Sequence, residues 1–480
     1  MVDKIVYTKP KPRGVDHNTN PALLVAGRYG TDDMIDIFGA EKTFSYVLDS
    51  QAEAVVTMSN MYPDVVPKKD ALKLYDKANL NCINPARIRE IEEDTGHDII
   101  AINTAWGEKV TKRAGTHINK ARTSADSTET AKALQLKKAL EVYIDSLENL
   151  RDITLEKSKK WKHVSHMDTS HLYDALPTVL GRPFSHYGEM LQSSLNVLGF
   201  FYNNSIVGKW ADATGNHHSA TALGINGMKM QEKYCEKLEI GHMDAPAQIP
   251  GREFIADIIY GVARSAETMR NLGDFIRMGR SDDSGIFIIP RGKKGSSAMP
   301  HKDAKGGNPT VEEQTLSFSN YMRGGMSTEL SACNFNYSRD LSASASDRIV
   351  LEDSFKWGDH VVRRLANLVY KLDSTDKVED RVQRSYGVVT AQQVMTYLTD
   401  PRKMKKPMTR KDAHDLTGKL AIEAYDEEID FVDILLQNEE ITKRIPNDVL
   451  HEITNPMKYI GQSKEIIETV YKKYHGKQTI

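Results

Sequence analysis

The chain has 480 residues, a formal net charge of −2, 40% apolar residues and 27% charged ones. That balance is ordinary for a soluble globular protein and offers no charge excess for nucleic acid. No apolar run approaches the roughly 18 residues of a bilayer span, and Cys82, Cys235 and Cys333, odd in number and far apart, argue against a disulfide or zinc framework.

The opening MVDKIVYTKPKPRG is charged and proline-bearing, without the apolar stretch of an export signal, so a cytoplasmic protein is expected. Residues 1–22 read as an irregular arm, and short helical segments follow, one of them around DDMIDIFGAEKTFSYVLDSQAEAVV. Beyond Ser127, Leu136, Leu140, Tyr143, Leu147 and Leu150 recur at spacings of four and three, which predicts one face of a long helix. A second long helix is predicted after Pro183. A third is predicted from near Pro250, with Ile255, Ile259, Val262, Ala266 and Met269 on one stripe. Two more are predicted over 311–333 and 345–372. Helices this long exceed the usual mean of about 12 residues and favour a bundle. The last hundred residues return to shorter helices, with turn signals at DPRKMKKP and NPMKYIG. The expected architecture is all-α in three domains: an N-terminal helical domain over 1–122, a central long-helix bundle with a loop over 123–376, and a C-terminal helical domain over 377–480.

Four segments carry candidate chemistry. Residues 295–309, GSSAMPHKDAKGGNP, form a glycine-rich stretch whose surroundings hold Arg291, Lys293, Lys294, His301, Lys302 and Lys305 against Asp303 alone. Such a segment can bind anions through backbone N–H groups and cationic side chains. It can equally be a surface loop with solvated charges. HVSHMDTSH holds His163, His166 and His171; on a helix the first two share a face, but a metal site needs a third ligand there and a second shell. An ordinary polar segment is the simpler reading, and the adjacent His217 and His218 are weaker still. TSADSTET at 123–130 is either a helix N-cap or a carboxylate site at a helix N-terminus. In SRDLSASASDR at 338–348, Ser344 and Arg348 stand four apart, on one helical face, where a hydroxyl and a guanidinium suit a phosphate or a capped helix start with exposed arginines.

Together these segments resemble the fumarase/aspartase superfamily, and within it the adenylosuccinate lyase family. GSSAMPHK…NP is similar to the superfamily's signature, and GRYG at 27–30, EEDTGHDIIA at 92–101, TSAD at 123–126, SHLYDALPTVLG at 170–181, AQIPGREFIAD at 247–257 and SRDLSASASDR follow in the family's order. The resemblance implies Ser296 as general base and His171 as general acid, with His97 and Asp98 beside them. It implies Thr123, Ser124, Lys302 and Asn308 on the substrate carboxylates, and Gln248 on the succinyl group. Arg28, Tyr29, Arg339, Ser344 and Arg348 would hold a nucleotide phosphate. It implies no cofactor and no metal, a small nucleotide substrate, and a homotetramer with active sites shared between chains; neither nucleic acid nor membrane enters. Another fumarate-releasing C–N lyase, of argininosuccinate type, and a non-catalytic helical scaffold are the alternatives. Where the family has one residue between the lysine and asparagine of the signature, this chain has five, 303–307; Gly306 and Gly307 are expected to let that insert bulge into solvent, with Asp303 and Lys305 outside. Other departures are Arg122 directly before Thr123, Tyr173 two after His171, and Ser338 before Arg339.

Overall fold

The structure, a computed structural model, describes residues 28–290 and 298–480, the side chain of Lys305 excepted. Five long helices dominate it: Ser124–Lys160, Gly181–Asn204, Glu253–Gly279, Thr310–Ala332 and Ser344–Lys371. Each lies within a few residues of its predicted span. Leu136, Leu140, Tyr143, Leu147 and Leu150 are all buried, as are Ile255, Ile259, Val262, Ala266 and Met269, so both predicted stripes face one continuous core. Tyr143 shares a 2.7 Å hydrogen bond with Ser265, which satisfies its hydroxyl at the centre of that core.

Ion pairs and backbone contacts fix the helix directions. The Ser124, Glu253 and Ser344 helices start at one end, where Arg252 donates to Glu129 at 2.6 Å and Lys132 to Asp347 at 2.7 Å. They finish together at the other, where Lys157 donates to the Leu372 carbonyl at 2.6 Å. The Gly181 and Thr310 helices run back: Gly181 N–H donates to the Trp161 carbonyl, and Arg280 pairs with Glu312. At 1.5 Å per residue the two ends of the bundle stand about 40 Å apart.

A second core, built on Leu48, Val55, Met58, Leu74, Ile102 and Trp106, also takes in Trp210, Ala220, Met230 and Tyr234 from the segment between the Gly181 and Glu253 helices. A third, around Leu398, Phe431, Leu435 and Ile441, belongs to the short C-terminal helices. Ser463–Tyr474 then returns to the bundle, where Lys162 pairs with Glu468 at 2.6 Å.

The segment of His166 and His171 is a β-hairpin, with His163 in the turn that leads into it, so the helical condition for His163 and His166 to share a face is not met. Ser165–Ser170 pairs antiparallel with Tyr173–Val179 across a two-residue turn, His171–Leu172. Both turn residues have left-handed φ, 56° and 70°. That is the turn a hairpin wants, and in L-residues other than Gly it costs about 1–2 kcal/mol each. Two further pairings of two residues each complete the strand content among the described residues, so the all-α architecture stands.

Candidate active site

At the end of the bundle where the Ser124 helix begins, Ser124 Oγ lies 3.4 Å from His97 Nε2. His97 precedes the Asp98–Gly107 helix, and its Nδ1 stands 3.2 Å from Asp98. Thr123 is the N-cap, so the pair sits where free backbone N–H groups and the helix dipole favour an anion. The position of Thr123 and Ser124 is set from beneath by Asp126. Its carboxylate accepts from Thr123 N–H at 2.8 Å, Lys209 Nζ at 2.5 Å, Ala211 N–H at 2.9 Å and Asp212 N–H at 3.1 Å. Both Asp126 and Lys209 are fully buried. A buried pair whose carboxylate also meets three backbone donors is the kind whose single-partner removal typically costs about 3–5 kcal/mol. Sequence reasoning found the Thr-Ser pair and missed this support. The aspartate at the third helical position was a usable signal, whereas Lys209, 83 residues away, gave none. Arg122 is buried beside Tyr234 and Asp126, with none of its guanidinium nitrogens hydrogen-bonded.

The same end of the bundle holds Gln248, the succinyl candidate, and the phosphate candidates Arg339, Ser344 and Arg348. Arg339 donates to Gln248 Oε1 at 3.2 Å, and Gln248 N–H donates to the Ser338 carbonyl at 3.1 Å, so the two segments brace each other. Ser344 opens its helix and Arg348 is exposed one turn on. Behind them Arg252 grips Glu129 with two hydrogen bonds, 2.6 and 3.1 Å. Burial pushes the Glu129 carboxyl up, but Lys132 and Arg252 outweigh it and hold the group at about 2.

The remaining candidates stand elsewhere. His171 occupies the hairpin tip at the opposite end of the bundle, with Leu172 and Tyr173 beside it 86% and 79% exposed. His166 is buried at the hairpin base, where loss of hydration lowers it to about 4. The three histidines of that segment therefore diverge, and among the described residues no cluster of three His, Cys, Asp or Glu could hold a metal ion. Also at that end are Lys302 and Asn308, whose side chains meet at 3.3 Å. Tyr29 packs on Trp357 and His360, with ring centroids 5.8 and 5.9 Å apart, so Arg28 and Tyr29 lie over the middle of the Ser344 helix. That is 13 residues, about 20 Å, from Ser344. Ser296 lies outside the described residues.

The five-residue spacing between Lys302 and Asn308 is absorbed by the 3-10 turn Pro300–Lys305 and by left-handed Gly306 and Gly307, φ 84° and 82°. Only part of this insert is in solvent, which corrects the expectation of a free bulge. Ala304 is exposed, but Asp303 is partly buried, Gly306 packs on Ile289 and the Gly307 carbonyl accepts from Arg280 at 3.3 Å. A Cβ at Gly306 would meet Ile289 at 2.2 Å. Gly306→Ala adds left-handed strain of about 1–2 kcal/mol to that clash. It is expected to shift Asn308 and lower kcat/KM about tenfold. Unchanged steady-state kinetics would show that the insert does not set the position of Asn308.

Comparison with known proteins gives the family of the chain. A model of the lyase family matches residues 27–324, and one described as the adenylosuccinate lyase C-terminus matches residues 387–470. The chain is 28% identical over 455 residues to an adenylosuccinate lyase of Methanocaldococcus jannaschii, covering 94% of this chain and 96% of that one. It is 28% identical over 422 residues to an adenylosuccinate lyase of Bacillus subtilis, covering 87% and 93%. A solved fumarate lyase from Mesorhizobium has the same fold, with a TM-score of 0.79 at 18% identity over 92% of this chain and 98% of that one.

Proposed function

The chain belongs to the lyase family, within the fumarase/aspartase superfamily, and carries an adenylosuccinate lyase C-terminus; from this premise we propose that it releases fumarate from adenylosuccinate, leaving AMP. The imidazole succinocarboxamide nucleotide, which carries the same succinyl amine, is the second expected substrate. The match of the C-terminal segment to the adenylosuccinate lyase C-terminus carries the choice of substrate. Turnover of adenylosuccinate by the purified protein, followed by absorbance with fumarate detected directly, tests it. No fumarate above background would overturn the reading.

The reaction removes a proton from the carbon beside a carboxylate and breaks the neighbouring C–N bond. Negative charge gathers on the carboxylate as the C–H bond goes, so fixed donors must await it. We assign that task to Thr123, Ser124, Lys302 and Asn308, with His97 and Asp98 beside them and Gln248 orienting the succinyl group. Ser296 would take the proton. The electron pair left on carbon forms the double bond of fumarate as the amine departs, and His171 would protonate that amine. Arg28, Tyr29, Arg339, Ser344 and Arg348 would hold the phosphate.

One chain cannot perform this alone. His171, Lys302 and Asn308 stand about 40 Å from Ser124, Gln248 and Arg348. Chains packed side by side in opposite directions would bring the two ends together, and the apolar tip of Leu172 and Tyr173 is suited to such burial. A homotetramer with shared sites follows as our reading. Arg348→Ala is expected to raise KM for adenylosuccinate about 10- to 100-fold, because a charge-assisted phosphate contact is lost in ground and transition states alike. Phosphate-free succinyladenosine should be indifferent. Equal damage to both substrates would make Arg348 structural.

A further inference from the structure

Three buried carboxyl groups, a buried arginine and a half-buried lysine lie together behind Arg339, Ser344 and Arg348. Glu129 and Lys132 come from the Ser124 helix, Arg252 from the turn before the Glu253 helix, Glu329 from the Thr310 helix and Asp347 from the first turn of the Ser344 helix. Arg252 donates to Glu129 at 2.6 and 3.1 Å, and Lys132 donates to Asp347 Oδ2 at 2.7 Å. Both cations are thereby engaged. Glu329 is fully buried, yet neither of its oxygens meets a donor, and Asp347 Oδ1 meets none either. The two carboxyls face each other. When both are ionised neither can donate, and two carboxylates face each other with no donor between them. A single proton supplies the missing donor and removes the repulsion.

We propose that Glu329 is a positioning residue for the nucleotide end of the site: carrying a proton, it donates to Asp347, fixes the first turn of the helix that presents Ser344 and Arg348, and keeps a surplus negative charge from beneath the bound phosphate. The phosphate in this statement rests on the proposed function; the proton does not. Burial first, then the charge of Asp347, pushes the Glu329 carboxyl up to about 8, against the pull of Lys132 and Arg252. The other titratable groups that feel it are Tyr321 and Cys333, on its own helix and at that helix's end.

Two measurements on the full-length protein test this. In the first, KM for adenylosuccinate is followed from about pH 6 to about pH 9.5. With the wild type it is expected to climb towards tenfold per pH unit above about 8, with kcat changing much less. Glu329→Gln, which has an N–H donor at every pH, should lack that climb, and succinyladenosine should show it with neither protein. The same alkaline climb in Glu329→Gln would overturn the proposal. The second measurement is the unfolding midpoint against pH. A carboxyl whose value is raised in the folded state stabilises fully below its unfolded value, and that contribution is lost as pH rises to its folded value. The wild type should therefore lose stability relative to Glu329→Gln between about pH 4.5 and about pH 8, then run parallel to it. Asp347→Asn, which removes the repelling charge and leaves the burial, should end the same slope at a lower pH than in the wild type if Glu329→Gln fails to fold. Parallel melting profiles throughout would overturn the proton. A protein that never turns over adenylosuccinate would overturn the proposed function, while the melting comparison would still decide the state of Glu329.

Discussion

His171→Ala is expected to lower kcat by about 10² to 10⁴-fold with a much smaller change in KM, the loss typical of a general acid or base. The purine amine leaves readily only if it is protonated as the C–N bond breaks, so the contribution of the imidazole is concentrated in the transition state. The fold should survive. His171 stands exposed at a hairpin tip, and the strands below it are held by their own ladder from Ser165–Val179 to Ser170–Tyr173. Its left-handed φ of 56° is imposed by the two-residue turn and persists in alanine. Circular dichroism and the assembly mass should match the wild type while steady-state turnover collapses. A variant with near-normal kcat would remove His171 from the chemistry and turn attention to His97, 3.4 Å from Ser124.

Ser296→Ala is expected to cause a loss of the same order, about 10² to 10⁴-fold in kcat. A hydroxyl is a weak base in water and serves only where nearby positive charge and exclusion of water stabilise its anion. The sequence around it provides the charge: Arg291, Lys293 and Lys294 precede it, and Lys302 follows six residues on. The variant should still bind adenylosuccinate, because the proposed phosphate and carboxylate contacts are untouched. Calorimetric titration showing wild-type affinity without turnover is the expected result. Turnover close to wild type would transfer the role of base to Ser297 or to a histidine.

The long helices were legible because their apolar residues recur with helical period over many turns, as from Leu136 to Leu150 and from Ile255 to Met269. A stripe of that length needs a core to face, and it has one. The hairpin was not legible. Its turn is His-Leu where Asn-Gly is the usual signal, and its strands are buried only at their base, so neither turn chemistry nor alternation marks it. The candidate residues could be picked out one segment at a time, yet their distribution between two ends of a bundle could not. Sequence order says nothing of direction until pairs such as Arg252–Glu129 and Lys157–Leu372 fix it. The Asp126–Lys209 pair escaped for the same reason: Asp126 stands at a capping position, but Lys209 is ordinary in sequence, and only the fold buries the two against each other.

The central claim is a fumarate-releasing site assembled from more than one chain, and mixing inactive variants tests it most directly. Ser296→Ala and His171→Ala proteins, each nearly inactive alone, are dissociated, combined in equal amounts and allowed to reassemble, with subunit exchange verified by mass. Random assembly puts an intact serine and an intact histidine from different chains at about one site in four, so fumarate release from adenylosuccinate should return to about a quarter of the wild-type rate. Verified hybrids that stay as inactive as their parents would contradict the shared site.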